Sequence, residues 1–530
     1  MNHIELFAGC GGLSLGLETS GFELLLANEL SPMAAETFAY NHLGVDLSDP
    51  SASGDIKKVF WLSSQHCRSD LSSRLRENPN LASGKTGVNS DLINLEPNNA
   101  QLRRSLLIGS IKDLNQILSE DTKGLKERLR TGFGLGGVDL VSGGPPCQSF
   151  SLAGMRDHTN ARNQLPWEFA KFVSYAKPKI ALLENVSGIL RPFLIDGKKY
   201  YAWLEVAKAF CEFGYIPLCL NVNAKYVGVA QNRPRFIMIS LEKEFCEKFI
   251  ISSEDKILIA ALEESMIFQQ KVVNKENVEC GLKYYDTDKD TEFFKSKIIS
   301  TLVTHKHKVA TVRDAIDDLR KVSLEPSDYV NNLNGSYSNP HNHPVNKTLN
   351  HKFRRNSDKV KARFRIYQRL TKLTKNQARS VELYLKTEGD ILPMPEAIEG
   401  ISKDWVLSLQ GEMIVKPTEG DVMSILEKLY TKKHSQRSLD AASPAPAALS
   451  IPDDACHYDD ESKDSLRTLT VREMARIQSF PDWYEIKSKV TTGGKMRKFE
   501  VPQYTQIGNA VPPLLGVALG SVCKDILNLT

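Results

Sequence analysis

Long hydrophobic runs are missing from this sequence. No apolar stretch in its 530 residues approaches the roughly 20 residues that a membrane-spanning helix needs, so no membrane partner is expected. Cysteine is sparse and unpatterned. The nine cysteines are odd in number, scattered, and never in a CxxC spacing, which argues against a disulfide framework and a structural zinc site and points to a reducing, cytoplasmic compartment. No metal-ligand cluster is apparent, so no metal is expected. The start, MNHIELFAGCGG, lacks the charged segment, apolar stretch and cleavage site of a secretory leader, and the fold is expected to begin at once. Charge of one sign is also scarce: 68 Lys and Arg against 64 Asp and Glu leave a net +4, too little to name a partner. There is no internal repeat. The length exceeds one ordinary core and predicts two domains, or one domain with large insertions.

What is present is a rhythm of short apolar runs and helical patterns. Ile4–Phe7, Glu23–Ala27, Val138–Ser142, Ile180–Leu183 and Arg235–Ser240 read as strands, and Leu13–Thr19 and Met33–Asn41 as helices. This alternation predicts an α/β fold with a parallel or mixed sheet covered on both faces. Three stretches interrupt it. Ser48–Ser105 is polar and reads as a surface insertion. Glu242–Val309 is rich in Lys and Glu, with helical character. Ala441–Leu449 (AASPAPAAL) reads as a loop or linker. The strongest charge anomaly is Lys347–Arg379, which holds twelve Lys or Arg residues against one acid, Asp358, with Phe353, Phe364 and Tyr367 interleaved. Such a block suits nucleic-acid phosphates; the plain alternative is a solvated helix face.

Four motifs carry residues with chemistry. Phe7-Ala8-Gly9-Cys10-Gly11-Gly12 closes the first strand, where glycines let a ligand approach the backbone. It is not a dinucleotide fingerprint, because the third glycine would fall on Ser14. With Glu29 able to accept from ribose hydroxyls, it permits an adenosine-containing cofactor. In Val138–Ser151 (VDLVSGGPPCQSFS), two glycines and two prolines fix the backbone before Cys147. A structural cysteine usually sits inside an apolar run, whereas this one follows a rigid turn of the kind that presents reactive groups. A free thiol has a pKa of about 8.5, so a useful nucleophile also needs a site that favours the thiolate. Leu182-Leu183-Glu184-Asn185-Val186 ends another strand in a carboxylate. Parallel strands deliver their C-terminal ends to one edge, where Cys147 and Glu184 could meet. Finally, Gln231-Asn232-Arg233-Pro234-Arg235 sends two arginines into a strand. A thiol, an acid and guanidiniums together suit an anionic or electron-rich substrate.

In this order, and followed by Arg467–Pro481 (RTLTVREMARIQSFP) and Gln506–Pro513 (QIGNAVPP), these blocks resemble the DNA (cytosine-5)-methyltransferases of bacterial restriction-modification type. The resemblance implies a Rossmann-like S-adenosylmethionine-dependent methyltransferase domain with a mixed seven-stranded sheet, plus a smaller target-recognition domain. Residues 1–325 would be catalytic, with insertions at about 48–105 and 242–309; 326–460 would recognise the target, and 461–530 would return to the catalytic domain. The implied reaction moves a methyl group from S-adenosylmethionine to carbon 5 of a flipped-out cytosine in a specific double-stranded DNA sequence. Cys147 would add to cytosine C6, and Glu184 would hold N3 and the exocyclic amine. Arg235, with Arg233, would orient the base, while Asn185 would position the neighbouring strand end and Pro146. For the cofactor, Phe7 would pack on adenine, with Ala8, Gly9, Gly11 and Gly12 in the same pocket and Glu29 on the ribose. Asn509 and Ala510 would complete the pocket, lined also by Pro146 and by Leu165, which follows a mobile-loop candidate at Ser149–Gln164. Two positions depart from the family pattern. Glu5 stands where aspartate is usual. For the contact to adenine's amine, Ser110 with Ile111 is preferred, and Asp55, in a literal Gly54-Asp55-Ile56, is the alternative.

The recognition region would fall between QNRPR and RTLT, after Thr311–Leu319, and there the basic block lies. Duplex DNA is therefore the expected partner, bound by a monomer in the cytoplasm at the nucleoid, with a cognate restriction endonuclease acting separately. Two rivals stand beside this: an RNA cytosine methyltransferase of the same branch that modifies tRNA, and a catalytically dead DNA-binding regulator. Intact Cys147, Glu184 and Arg235 argue against the second. The recognition sequence is not legible, because base readout depends on a few side chains in a groove.

Overall fold

The apolar runs assemble into one central sheet. In chain order its strands are β1 Asn2–Leu6, β2 Glu23–Glu29, β3 Val59–Trp61, β4 Ser105–Ile108, β5 Leu140–Gly143, β6 Ile180–Val186, β7 Tyr215–Asn223, β8 Pro234–Glu242 and β9 Tyr284–Asp286. They lie in the order β9-β7-β8-β6-β5-β1-β2-β4-β3. Neighbours run parallel except β8, which is antiparallel to both β6 and β7. Apolar clusters cover both faces. Along β6, Ile180 and Leu182 enter one cluster, and Ala181 and Leu183 enter the other. A strand buried on both sides must be apolar at every position, which is why it reads as an unbroken run. This computed structural model describes residues 1–49, 56–82, 89–121, 123–146, 164–195, 198–276, 278, 281–321, 323–431, 436–447 and 455–530. Cys147, Asp55 and residues 149–163 of the loop candidate lie outside them.

The sheet has nine strands rather than the seven expected. The two additional edge strands come from the segments read as insertions. Ser48–Ser105 supplies β3, whose Phe60 and Trp61 are buried, and Glu242–Val309 supplies β9. The first is thus no mere surface excursion. Its Arg74 is 1% exposed, donates twice to Asp91 and stacks 5.1 Å from the Trp61 ring. The second adds helices Lys243–Ser252 and Lys256–Val273, with Phe249, Leu258 and Leu262 in the core.

The helix expected over Met33–Asn41 forms as Pro32–Phe38 and then widens into a π-helical turn, Ala39–Leu43. At the C-terminus, Gln503–Asn528 is long and apolar enough to cross a membrane by length and composition, with mean hydropathy 1.5 over an 18-residue stretch within it. It breaks into helices Gln503–Asn509 and Pro513–Asn528, and Leu515, Leu519, Val522 and Ile526 are fully buried in the protein core. A separate apolar cluster, including Phe364, Ile366, Val381, Ile401 and Leu426, builds the interior of the helical region that begins at helix Asp358–Leu370. Upstream, Leu333 and Tyr337 pack instead with Met474, Trp483 and Tyr504, on the body that carries the C-terminal segment.

Candidate active site

Because β8 runs against its neighbours, its first residues lie at the edge where β5 and β6 end. Register pairs Arg235 with Val186 and Ile237 with Glu184, so Arg235 meets Glu184 diagonally. Arg235 Nε lies 2.8 Å from Glu184 Oε1, with 10% and 11% of the two side chains exposed. Burial lowers the Arg235 pKa, and the Glu184 charge and hydrogen bond oppose that shift. The turn leading to Cys147 runs directly against this carboxylate. A Cβ on Gly144 would lie 2.9 Å from Glu184 Oε2, so a side chain there would displace the acid. Asn185 Nδ2 donates to the Pro145 carbonyl at 3.0 Å, one residue before the expected Pro146, which is itself exposed. Sequence and topology thus bring Glu184, Arg235 and the approach to Cys147 to one place.

Arg233 turns instead to the C-terminal segment. Its side chain is buried, and one terminal nitrogen donates to the carbonyls of Gly508 and Ala510, both at 3.0 Å. The other donates to Gln231 Oε1 at 3.4 Å and to the Ala447 carbonyl at 3.5 Å. Burial draws its pKa well down, and Arg235 nearby adds to the effect. The expected base contact gives way to a tether, because the backbone carbonyls of the C-terminal segment take up the guanidinium's donors. Arg233 joins the QNRPR segment to the C-terminal segment and to the AASPAPAAL linker, in the middle of which Ala445–Pro446 pairs with Gln231–Asn232.

The remaining strand ends form the second half of the site. The turn after β1 is left-handed at Phe7, with φ 55°, and space beside Gly9 is open. Glu29, at the end of β2, accepts from the Gly9 amide through Oε2 and from the Ser31 amide through Oε1, both at 2.8 Å. Burial raises its pKa. Each oxygen keeps further acceptor capacity. Gly109 donates to the Glu29 carbonyl at 2.9 Å, which brings Ser110 beside it, and Ser110 caps helix Ile111–Glu120. Ile111 is buried under that cap. Lys112 Nζ donates to Gln164 Oε1 at 3.2 Å, setting half-buried Leu165 near the same helix start. From the C-terminus, Cys10 Sγ donates to the Gln506 carbonyl at 3.6 Å, so helix Gln503–Asn509 abuts the glycine turn, with Asn509 exposed and Ala510 buried. Glu5 points away from this pocket to the Ser14 hydroxyl, and burial pushes its pKa up to about 8. Sequence reading missed His42 and Tyr484, which contact the turn from behind; neither sits in a pattern that marks it.

The basic block is only partly a surface. Arg365 is fully buried, with its guanidinium 3.1 Å from Asp404 and 3.9 Å from the Trp405 ring centre. Arg369 reaches Asp404 at 2.9 Å and the Gly400 carbonyl at 2.9 Å. Phe364 and Tyr367 are core residues. The expectation of a basic block suited to phosphates therefore narrows to the exposed Lys352, Arg355, Lys359, Lys372, Lys375 and Arg379. The physical reason is helix geometry: Asp358–Leu370 is amphipathic, and Arg365 and Arg369, four apart, share its inner face.

The sequence pattern described as C-5 cytosine-specific DNA methylase matches residues 1–60 and 111–525. The unmatched interval overlaps most of the first insertion. A relative described as Type II methyltransferase M.DdeI, from Desulfomicrobium norvegicum, is 25% identical over 98% of this chain and 87% of its own length. Type II methyltransferase M.AgeI of Thalassovita gelatinovora is 27% identical over 99% of each chain. DNA (cytosine-5)-methyltransferase 3 of Arabidopsis thaliana is 26% identical over 99% of this chain and 31% of its own length.

Proposed function

Because the chain belongs to the C-5 cytosine-specific DNA methylase family, we propose that it methylates carbon 5 of a cytosine flipped out of a specific duplex DNA sequence, through a covalent bond from Cys147 to cytosine C6. The observation that carries this reading is the buried Glu184–Arg235 pair set against the turn three residues before Cys147.

The Cys147 thiolate adds at C6, and the C5=C6 electrons move toward C5 and the ring. Glu184 holds N3 and the exocyclic amine and provides the proton that stabilises this electron-rich adduct. Arg235 holds Glu184 in place and offers its remaining donors to the base oxygen. S-adenosylmethionine, when bound, supplies the methyl group that C5 takes up. Loss of the C5 proton to a base and cleavage of the sulfur–C6 bond restore the aromatic ring and free the thiolate. Arg233 acts as a tether behind the site.

The residues present fit an adenosyl cofactor. Glu29 offers two fixed carboxylate oxygens to a ribose diol, space is open at Gly9, and Phe7, Ser110, Leu165 and Asn509 surround the same strand ends. In this reading residues 1–325 and 461–530 catalyse, and the region within 326–460 reads DNA through its exposed lysines and arginines. The relatives' type II names favour a role in restriction-modification; a separate endonuclease, a cytoplasmic location and a monomeric chain complete the proposal.

The test is covalent trapping on duplex DNA that carries 5-fluorocytosine, in the presence of S-adenosylmethionine. Fluorine cannot leave C5 as a proton does, so a stable protein–DNA complex is expected for the natural chain and none for Cys147→Ser. Methyl transfer to tRNA alone, with none to duplex DNA, overturns the choice of polymer.

A further inference from the structure

His42 lies on the π-helical turn Ala39–Leu43, 1% exposed, its ring stacked 4.4 Å from that of Phe38. Local widening of a helix re-aims a side chain, and such turns recur at functional sites. Here the imidazole is aimed at the back of the glycine turn. Its Nε2 is 3.1 Å from the Gly11 carbonyl oxygen and 3.0 Å from the Tyr484 hydroxyl. A carbonyl only accepts. The Tyr484 hydroxyl donates its one hydrogen to the Cys10 carbonyl, so it too presents a lone pair to the ring. Nε2 must therefore carry a hydrogen.

That assignment leaves Nδ1 facing Glu18 Oε2 at 2.8 Å, a contact closed by one proton between ring and carboxyl. Burial would raise the Glu18 pKa, but the His42 charge and hydrogen bond outweigh it and hold the carboxyl below its ordinary value. Glu18 thus fixes the ring's orientation. The Gly11 carbonyl also accepts from the Leu15 amide at 2.9 Å, so both its lone pairs are engaged. With Tyr484 on the Cys10 carbonyl and His42 on the Gly11 carbonyl, two successive peptide planes are set. Planarity sets the Gly11 and Gly12 amides with them. The packing leaves no slack: a Cβ on Gly11, whose φ is 89°, would lie 2.3 Å from His42 Nε2.

We infer that His42, oriented by Glu18, is a positioning residue that presets the turn Ala8–Gly12 for its cofactor, an inference that rests on reading this turn as the S-adenosylmethionine site. Glu29 fixes the turn from the ligand side through the Gly9 amide, and His42 fixes it from behind.

The test is calorimetric binding of S-adenosylhomocysteine to the full chain and to three variants. Glutamine extends its amide to where Nε2 stands and can donate to Gly11, whereas asparagine is too short. His42→Asn and His42→Ala are expected to weaken binding at least tenfold, and His42→Gln to stay within threefold of the natural chain. Equal affinity for His42→Asn and the natural chain overturns the inference, as does a loss in His42→Gln as large as in His42→Ala. A natural chain that binds no S-adenosylhomocysteine defeats the cofactor reading itself, a distinguishable outcome. If the variants fail to fold, the imidazole nitrogen spectrum of the natural chain decides. Nε2 should carry hydrogen and its signal should move when S-adenosylhomocysteine is added; a bare Nε2 or an unmoved signal overturns the inference.

Discussion

Arg235 crosses from the start of an antiparallel strand to meet Glu184 diagonally, Nε to Oε1 at 2.8 Å, where both side chains are almost fully enclosed. An enclosed ion pair is costly to break from one side, because the survivor keeps a buried charge without its partner. Glu184→Gln retains the shape and removes the acid. It should lower methyl transfer to duplex DNA at least about 100-fold while DNA affinity stays within a few-fold. Arg235→Ala should lower methyl transfer as far and also lower stability by about 3 kcal/mol. Methyl incorporation from labelled S-adenosylmethionine and urea denaturation measure the two effects. Methyl transfer within tenfold of normal in Glu184→Gln would remove the carboxylate from the chemistry.

Arg233 is expected to separate from Arg235 in this comparison. Its donors satisfy the Gly508 and Ala510 carbonyls, so Arg233→Ala strands two acceptors and frees the C-terminal segment. The expected cost is about 2–4 kcal/mol in stability, with weaker S-adenosylhomocysteine binding. Arg233→Lys, whose single ammonium cannot also take over the second nitrogen's contacts to Gln231 and Ala447, should recover only part of it. If Arg233→Ala instead loses turnover alone, with stability and cofactor binding unchanged, the side chain works at the base and not as a tether.

Much of the fold was legible because the central strands are buried on both faces and leave unbroken apolar runs, as in Ile180–Leu183. The interior strands β4 and β7 were not read as strands, and neither were the edge strands β3 and β9. Each edge strand is three residues long, carried in polar surroundings, and takes its identity from the neighbour it pairs with. The site divides the same way. Glu184 was placed at a strand end by its sequence, but its meeting with Arg235 was not legible, because only the antiparallel course of β8 brings that strand's start to the end of β6. Arg233 looks equivalent in sequence, two residues from Arg235, and only its hydrogen bonds to Gly508 and Ala510 show that its side chain turns to the C-terminal segment. His42 and Tyr484 are 442 residues apart, and no local pattern relates them. The basic block misled by composition: charge counts do not reveal that Arg365 and Arg369 face inward to Asp404.

Glu5 makes the pH dependence of stability informative. Burial lifts its pKa from 4.5 to about 8, so the folded state favours the protonated acid. A group raised in this way contributes stability in full below 4.5 and loses it as pH climbs through 8. The natural chain should therefore lose on the order of a few kcal/mol between pH 5 and pH 9 from this residue. Glu5→Gln carries a permanently neutral amide and should flatten that decline while changing little at pH 5. Urea midpoints for both chains at the two pH values check it. Parallel declines would show that Glu5 is not the group responsible.

Salt dependence of DNA binding tests how the basic block is divided. Each lysine or arginine that neutralises a phosphate releases condensed counterions and adds about 0.9 to the slope of log affinity against log salt. Lys375 and Arg379 are exposed on helix Lys375–Lys386, so Lys375→Ala and Arg379→Ala should each reduce the slope by about that amount and weaken binding to all sequences alike. Arg365 should behave in the opposite way. It is sealed between Trp405 and Asp404, so Arg365→Met should leave the slope unchanged and cost about 1–3 kcal/mol of stability through lost packing and cation–π contact. Asp404 keeps Arg369 as a partner, which limits the damage. Binding of a duplex measured between 50 and 200 mM salt, as order-of-magnitude working conditions, separates the two classes. A slope that falls with Arg365→Met and holds with Lys375→Ala and Arg379→Ala would mean that the DNA-bound region repacks, turning its buried arginine outward.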